Sequence, residues 1–404
     1  MGTRELLDVE EALEEILGLI GPLEPESTPV DLAVGRALSQ DVRAVRTLPP
    51  WDNSAMDGYA LRSADVQSPP ARLEVVEAIY AGQAPTRSVG PGQCARIMTG
   101  AQVPPGADAV VMQEKTRAAG AQQVDVLESV PPGASVRRAG EDAKAGELLL
   151  RRETSLGLPE AGLLWGQQIG TVSVPRAPRV AILSTGDELC GIEDAPNGRI
   201  VDSNSPVLAQ AVRRAGGVPK PLGIARDTLA DVVHRLSAAE GADLVLTVAG
   251  VSVGEKDYVR AALESIGVTM RFWKVAMRPG KPLAVGTRGR TLFMGLPGNP
   301  TSALVTFELF VRPALRKMQG LGTAWPRSMG VCAEPLRKAP GLTHFVRATA
   351  EWKDGTLHAR PLATQGSGAL RSAAAATHLL VFPKEARGLA VGDPVELISV
   401  SWNA

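Results

Sequence analysis

The chain has 404 residues with 43 Lys+Arg against 43 Asp+Glu, and only 4% of it is aromatic. Its length exceeds one comfortable core and predicts roughly two to four domains. A net charge of zero with no basic run excludes the bulk positive field of a nucleic-acid binder, and so few aromatics leave little for base stacking.

Leu6, Val9, Leu13, Ile16, Leu17 and Ile20 recur at helical spacing, with Asp8 and Glu11 as a capping box and Gly21-Pro22 as the stop. A second short helical piece is predicted near "GRALSQDV". The stretch "LPPWDNSAMDGYA" (48–60) follows. Pro49 and Pro50 bar a helix, and Asp52, Asn53, Asp57 and Gly58 disfavour a strand. It reads as a stiff turn anchored by Trp51, Met56 and Tyr59, presenting Asp52 and Asp57. From Leu73 to about Leu150, short runs such as "LEVVEAIY", "QCARIMTG" and "DAVVMQE" alternate with turn clusters, the pattern of a small all-β module. "SLGLPEAGLLWGQQIG" is helical again, with Ser155 as its cap. Packing of the flanking helical segments on each other would make the β module an insertion.

From Arg179 to Gly320 strands and helices alternate, beginning with the apolar run "RVAILSTG" and ending in a long helix after Pro300. This is a βαβ series, hence a mostly parallel sheet covered by helices. After about Trp325 short strands return, predicting a small β-barrel or sandwich. The expected fold is multi-domain α/β. Its parts are a helical linker domain (1–45 plus 146–172), a β-rich insertion (46–145), a central α/β domain (173–325) and a C-terminal β domain (326–404).

Cys94, Cys190 and Cys332 are far apart and form no Cys-x-x-Cys pair, so neither a disulfide framework nor a zinc site is predicted. The acidic, amphipathic N-terminus lacks the pattern of a signal peptide, and no apolar run is long enough to span a bilayer. A soluble, cytoplasmic protein is expected.

In open parallel sheets ligands bind beyond the carboxyl ends of the strands. Those ends carry "STGDEL" (Thr185, Gly186, Asp187, Glu188), "VAGVSVGEKDY" and "LPGNPTSA", where Asn299 can cap, Pro300 suits the first helical position and Gly298 permits close approach. Ser203 and Asn204 precede another helix. Together they form a polar, glycine-rich rim suited to an oxyanion. "GVSVGEKD" is no nucleoside-triphosphatase loop, because the glycines are too close and no Ser or Thr follows Lys256. Asp187, Glu188, Asp227 and Asp257 fall where a hard cation could be held through oxygen. "WKVAMRPGKP" places Lys274, Arg278 and Lys281 on what reads as a rigid basic loop, suited to gripping an oxyanion.

In combination, "DNSAMDGYA", "MTGA", "GED", "STGDEL", "GVSVG…DY", "RPGKP" and "GLPGNP" resemble the bacterial molybdopterin molybdenumtransferase (MoeA-like) family, in order along nearly the whole chain. The resemblance implies a homodimer of four-domain chains, with the β insertion of one subunit facing the molybdopterin-binding domain of the other. The implied substrates are adenylylated molybdopterin and molybdate, the implied ion is Mg2+, and the product AMP is cleaved off as molybdenum reaches the dithiolene. The implied catalytic set is Asp57, Thr99, Asp142, Glu188, Asp227 and Asp257. Asp57, together with Asn53 and Ser54, would project towards a ligand on the other subunit, and Asp227 and Glu188 are equal candidates for the general base. Molybdopterin and phosphate fall to Thr185, Gly186, Ser203, Gly250, Ser252, Pro297, Gly298, Asn299 and Pro300. Molybdate falls to Lys274, Arg278, Lys281, Ser302, Arg347 and Ser367, and the metal to Asp187, Glu188 and Asp227. Transient contacts with the adenylyltransferase and with molybdoenzyme chaperones are implied, and neither nucleic acid nor membrane. Val248-Ala249-Gly250 departs from the family's Ser-Gly-Gly, losing a hydroxyl and one unrestricted backbone position. Leu342 stands where arginine is common, and Arg278 where lysine is frequent. An adenylyltransferase would not need the insertion or "DNSAMDGYA", and a non-catalytic scaffold would carry the long linkers and extra domain of the fused relatives.

Overall fold

The computed structural model describes residues 6–194, 198–250 and 258–403. The chain forms two compact units, one made of the segments up to Thr28, Gly35–Ser39 and from Ser173 onward, the other of Pro29–Val34 and Gln40–Val172.

The first unit is built on a six-stranded sheet in the order Val218–Ala225, Arg179–Thr185, Leu244–Val248, Thr291–Leu296, Pro282–Arg288, Thr269–Lys274. The first three junctions are parallel and the last two antiparallel, so Pro282–Arg288 alone runs against the rest. Successive side chains of the central strands alternate between two cores. Val180, Ile182, Leu244 and Leu246 enter one, while Ala181, Leu183, Val245 and Phe293 enter the other. That is the period of two expected of strands covered on both faces. Pro219 and Pro221 are tolerated because their strand is the exposed edge.

The N-terminal helix Val9–Gly18 carries the predicted Asp8–Glu11 capping box and ends at Leu19, short of Gly21-Pro22. Expected to belong with 146–172, it instead buries Val9, Ala12 and Ile16 in the larger core of the α/β unit. The long helix after Pro300 runs to Met318 and carries a π-helical stretch over Phe307–Val311.

The C-terminal strands close into a barrel. Thr343–Lys353, Thr356–Pro361, Arg327–Cys332, Pro394–Ser399 and His378–Phe382 pair in a ring, the last returning to the first. Closure removes the free edges of a small sheet.

The second unit holds a six-stranded sheet in the order Ala109–Met112, Gly58–Leu61, Gln93–Ile97, Ala71–Ile79, Gln123–Val126, Thr116–Gly120. Gly58 is demanded by this packing, since a Cβ there would lie 1.9 Å from the Val111 carbonyl oxygen. The segments bracketing the β module pair with each other, Val42–Arg43 against Leu148–Leu150. Two local expectations fail. The short helix is Val30–Ala33 rather than "GRALSQDV", which turns at Gly35 with φ near +87°. The helix Leu158–Gly166 is capped at Gly157, whose N–H donates to Glu160 at 2.8 Å, so Ser155 lies outside it.

Candidate active site

Three loops at the carboxyl ends of the central strands, with the start of the antiparallel strand Pro282–Arg288, enclose a crevice of about 450 Å³ lined by Glu188, Ser203, Gly250, Pro297, Gly298, Asn299 and Pro300 of the predicted set. Asp202, Asn204, Ala249 and Pro282 line it as well. The wall is tied together by short polar links. The Asn204 side-chain amide donates to the Gly298 carbonyl at 2.7 Å, joining the Asn204–Arg214 helix to the 297–300 loop. Asp202 accepts from the Asn204 and Ser205 amides at 3.0 and 3.1 Å and from the Ser205 hydroxyl. Sequence reasoning passed over Asp202, although an Asp two residues before Asn204 is an Asx-turn signal.

Backbone conformation shapes the crevice floor. Ala249 and Gly250 both lie in the left-handed region, at φ +70° and +69°. An alanine there is costly by roughly 1–2 kcal/mol. A Cβ on Gly298 would sit 3.0 Å from the Ala249 methyl, so glycine at 298 gives that methyl its room. Gly186, at φ +145°, lets the Glu188 carboxylate fold over its backbone, where a Cβ would be 2.6 Å from Oε2.

Some predicted residues do other work. Thr185 is buried, and its hydroxyl donates to the Val248 carbonyl at 3.4 Å, pinning two strand ends rather than facing a ligand. Asn299 occupies the cap position, yet its side chain makes no cap bond. Asp187 and Asp227 face each other, each amide donating to the other's carboxylate at 3.4 and 3.3 Å. Glu188 lines the crevice instead, and among the described residues no three carboxylate, His or Cys side chains form a preassembled metal cage. The predicted trio is therefore a pair plus a crevice carboxylate. Ser252 and Asp257 lie outside the described residues.

The predicted molybdate residues divide in the same way. Arg347 is fully buried and has no ion-pair partner among the described residues. Its Nε donates to Ser372 Oγ at 2.7 Å and one Nη to the Thr364 and Gly366 carbonyls at 3.0 and 3.1 Å, while Nη1 has no partner among the described residues. Burial lowers its pKa. A buried, incompletely satisfied guanidinium is costly unless it meets an anion. The loop it holds continues to Ser367, whose carbonyl accepts from the Thr301 amide at 3.0 Å beside buried Ser302. Arg347, Ser302 and Ser367 thus converge on the start of the Pro300 helix. The expected basic loop is not one loop. Met277–Arg278 is a short strand on the barrel, paired with Thr343 and His344, whereas Lys281 is exposed and precedes Pro282 of the crevice. Lys274 ends its strand opposite Pro282.

In the β-rich unit, Asp57 is exposed and accepts from the Thr99 amide at 2.7 Å and the Thr99 hydroxyl at 2.8 Å. These bonds, the amide's foremost, and the charge of Arg96 hold its carboxyl below the usual carboxylate range. Asp142 is exposed, with its amide bonded to the Leu48 carbonyl at 3.1 Å. Asn53 and Ser54 are buried by strand pairing with Val136–Arg137 and do not project outward. Trp51 and Met56, expected as anchors, are 45% and 42% exposed rather than buried. Asp52 secures the turn by accepting from the Ala139 amide and Arg138 at 2.8 and 2.6 Å.

A crevice at the strand ends of a mostly parallel sheet, a closed barrel in the same unit and a β-rich unit of its own define a multi-domain α/β protein. Residues 181–317 match the family described as a probable molybdopterin binding domain, 7–167 the MoeA N-terminal region (domain I and II), and 329–400 the MoeA C-terminal region (domain IV). A molybdopterin molybdenumtransferase of Bacillus subtilis is 35% identical over 98% of this chain and 95% of its own length. Another, of a Nostoc species, is 45% identical over 73% of this chain and 70% of its own. The crystal structure of the molybdopterin biosynthesis moeA protein from Pyrococcus horikoshii superposes with a TM-score of 0.85 at 29% identity, covering 98% of this chain and all of that one (100%). The chain belongs to the molybdopterin molybdenumtransferase (MoeA) family.

Proposed function

We propose that the protein releases AMP from adenylylated molybdopterin and places molybdenum, delivered as molybdate, on the dithiolene. The observation that carries this reading is the crevice itself, where Glu188, Ser203, Gly250 and the Pro297–Pro300 loop meet around one cavity. Its positive-φ turn at Ala249 and Gly250 suits the phosphates of the adenylylated pterin. Molybdate, a tetrahedral oxyanion, would be gripped by Arg347 together with Ser302, Ser367, Lys274, Arg278 and Lys281. The orphaned Nη1 of Arg347 is the donor most in need of that ligand.

The facing carboxylates of Asp187 and Asp227 fit Mg2+, which takes one or two carboxylates plus substrate phosphate and water. Bound there, the ion would offset charge developing on the leaving phosphate. Asp227 or Glu188 would take the proton of the attacking water, and the backbone around Gly250 and Gly298 would orient the anhydride.

The working unit in this reading is a cytoplasmic homodimer of four-domain chains. The Asp57–Thr99 edge and Asp142 of one copy act on the substrate held by the other, and Ser252 and Asp257, outside the described residues, belong to the same proposed site. Among the described residues no helix is long and apolar enough to cross a membrane. The test is AMP release from adenylylated molybdopterin with Mg2+, with and without molybdate. Release that needs both and is lost in Asp57→Ala supports the proposal. Tight binding without release would make the protein a carrier.

A further inference from the structure

Another cavity of the α/β unit, of about 500 Å³, is walled by the Asn204–Arg214 helix, the helix after Pro300 and the C-terminal segment, and shares no residue with the crevice. Val207, Ala211, Leu304, Phe307 and Trp402 make its wall mainly apolar. The π-helical stretch shapes one side. There the Arg312 amide donates to the Phe307 carbonyl, five residues back, and the widened turn sets both Phe307 and Glu308 in the wall. Such widened turns are frequent at functional sites. The C-terminal segment is fixed in place, with Trp402 Nε1 donating to the Ala373 carbonyl at 3.0 Å and the Asn403 side-chain amide to that of Ala376 at 2.7 Å. The cavity is thus largely formed in advance and falls in the size range of small-molecule sites.

Its polar end is a charge pair. Glu308 is 1% exposed and accepts from Arg312 at 3.0 Å and from the Ser401 hydroxyl at 2.5 Å, so its charge is already matched. Arg312 is only partly buried and spends one Nη on that bond. With no further side-chain hydrogen bond among the described residues, its Nε and other Nη donors remain. Arg214, bonded to the Trp402 carbonyl at 3.2 Å, puts a second guanidinium in the wall against the single carboxylate among the lining residues. That balance favours an anion over an ammonium. The geometry points to a binding site for a small aromatic monocarboxylic acid, its carboxylate on the remaining Nε and Nη of Arg312 and its flat body against Val207, Phe307 and Trp402. The site does not depend on the transfer reaction proposed above.

Calorimetric titration of the full chain with cinnamate, and separately with its neutral amide, tests it. Cinnamate binds at least about tenfold more tightly than the amide. Because Arg312 also neutralises buried Glu308, the two are replaced together, and Glu308→Gln/Arg312→Gln loses that preference while keeping a neutral pair. Val207→Trp fills the cavity from a partly exposed position, leaves the charge pair intact and weakens cinnamate binding at least about tenfold, with thermal melting as the check on folding. No binding by the wild-type chain, or undiminished cinnamate binding in a folded Val207→Trp, overturns the site. Equal affinity for the two probes, or a preference that survives in the folded double variant, overturns the part given to Arg312 and the acid.

Discussion

The crevice of the α/β unit and the Asp57 edge of the β-rich unit bear similar groups but are constructed in opposite ways. Around the crevice each loop is fastened to another element, by Thr185 to Val248, Asn204 to Gly298 and Thr301 to Ser367, over strands buried on both faces. At the other edge an exposed carboxylate is held by hydrogen bonds from one threonine. The first arrangement suits a seat that has to exist before the ligand arrives. The second presets a charge and its direction and leaves it open to solvent.

The largest effect should come from breaking the fastened region at Arg347. Arg347→Ala strands two carbonyls and a hydroxyl in the interior and should cost about 3 kcal/mol or more in denaturant unfolding. Arg347→Lys should keep more of the fold while raising the molybdate concentration needed for AMP release, because a lysine cannot reproduce the fork. Within the β-rich unit, Gly58→Ala should destabilise by about 2–3 kcal/mol, since its methyl would enter the Val111 carbonyl. A melt insensitive to that change would contradict the sheet packing.

Asp57→Asn tests the open region, with a fall in kcat of about a hundredfold and little change in melting temperature. The sign of its pH dependence follows from a lowered folded-state pKa. The Thr99 contact is fully present above the ordinary carboxyl pKa and is lost only as pH falls through the depressed value. The Thr99 amide resonance should titrate at that lower pH, and a midpoint in the ordinary range would show that the contact is absent. The smallest effect sharpens the floor of the crevice. Ala249→Gly should stabilise by about 1 kcal/mol by relieving a positive φ. Gly298→Ala should be tolerated better in that background than in wild type.

Architecture was legible because apolar runs such as "RVAILSTG" and "DLVLT" have few ways to be buried, and strand-end loops inherit their places from the sheet. Glu188, Ser203 and Pro297–Pro300 therefore fell around one crevice as expected. Side-chain direction was less legible. Thr185 reads like its neighbours, yet strand alternation turns it inward, and Asn53 and Ser54 are buried by pairing to Val136–Arg137, more than eighty residues away. The fate of Arg278 likewise depended on a barrel strand far along the chain. Asp202 was readable from local turn chemistry and was passed over for the hydroxyl beside it.

The central claim is that the fastened crevice of one copy and the Asp57 edge of another serve a single substrate. Asp57→Ala and Glu188→Ala chains, each inactive, should be mixed, allowed to exchange subunits, and assayed for molybdate-dependent AMP release. Random pairing into two-fold dimers leaves one intact site per mixed dimer, so about a quarter of wild-type activity should return. No recovery in a mixture shown to contain mixed dimers would contradict the claim.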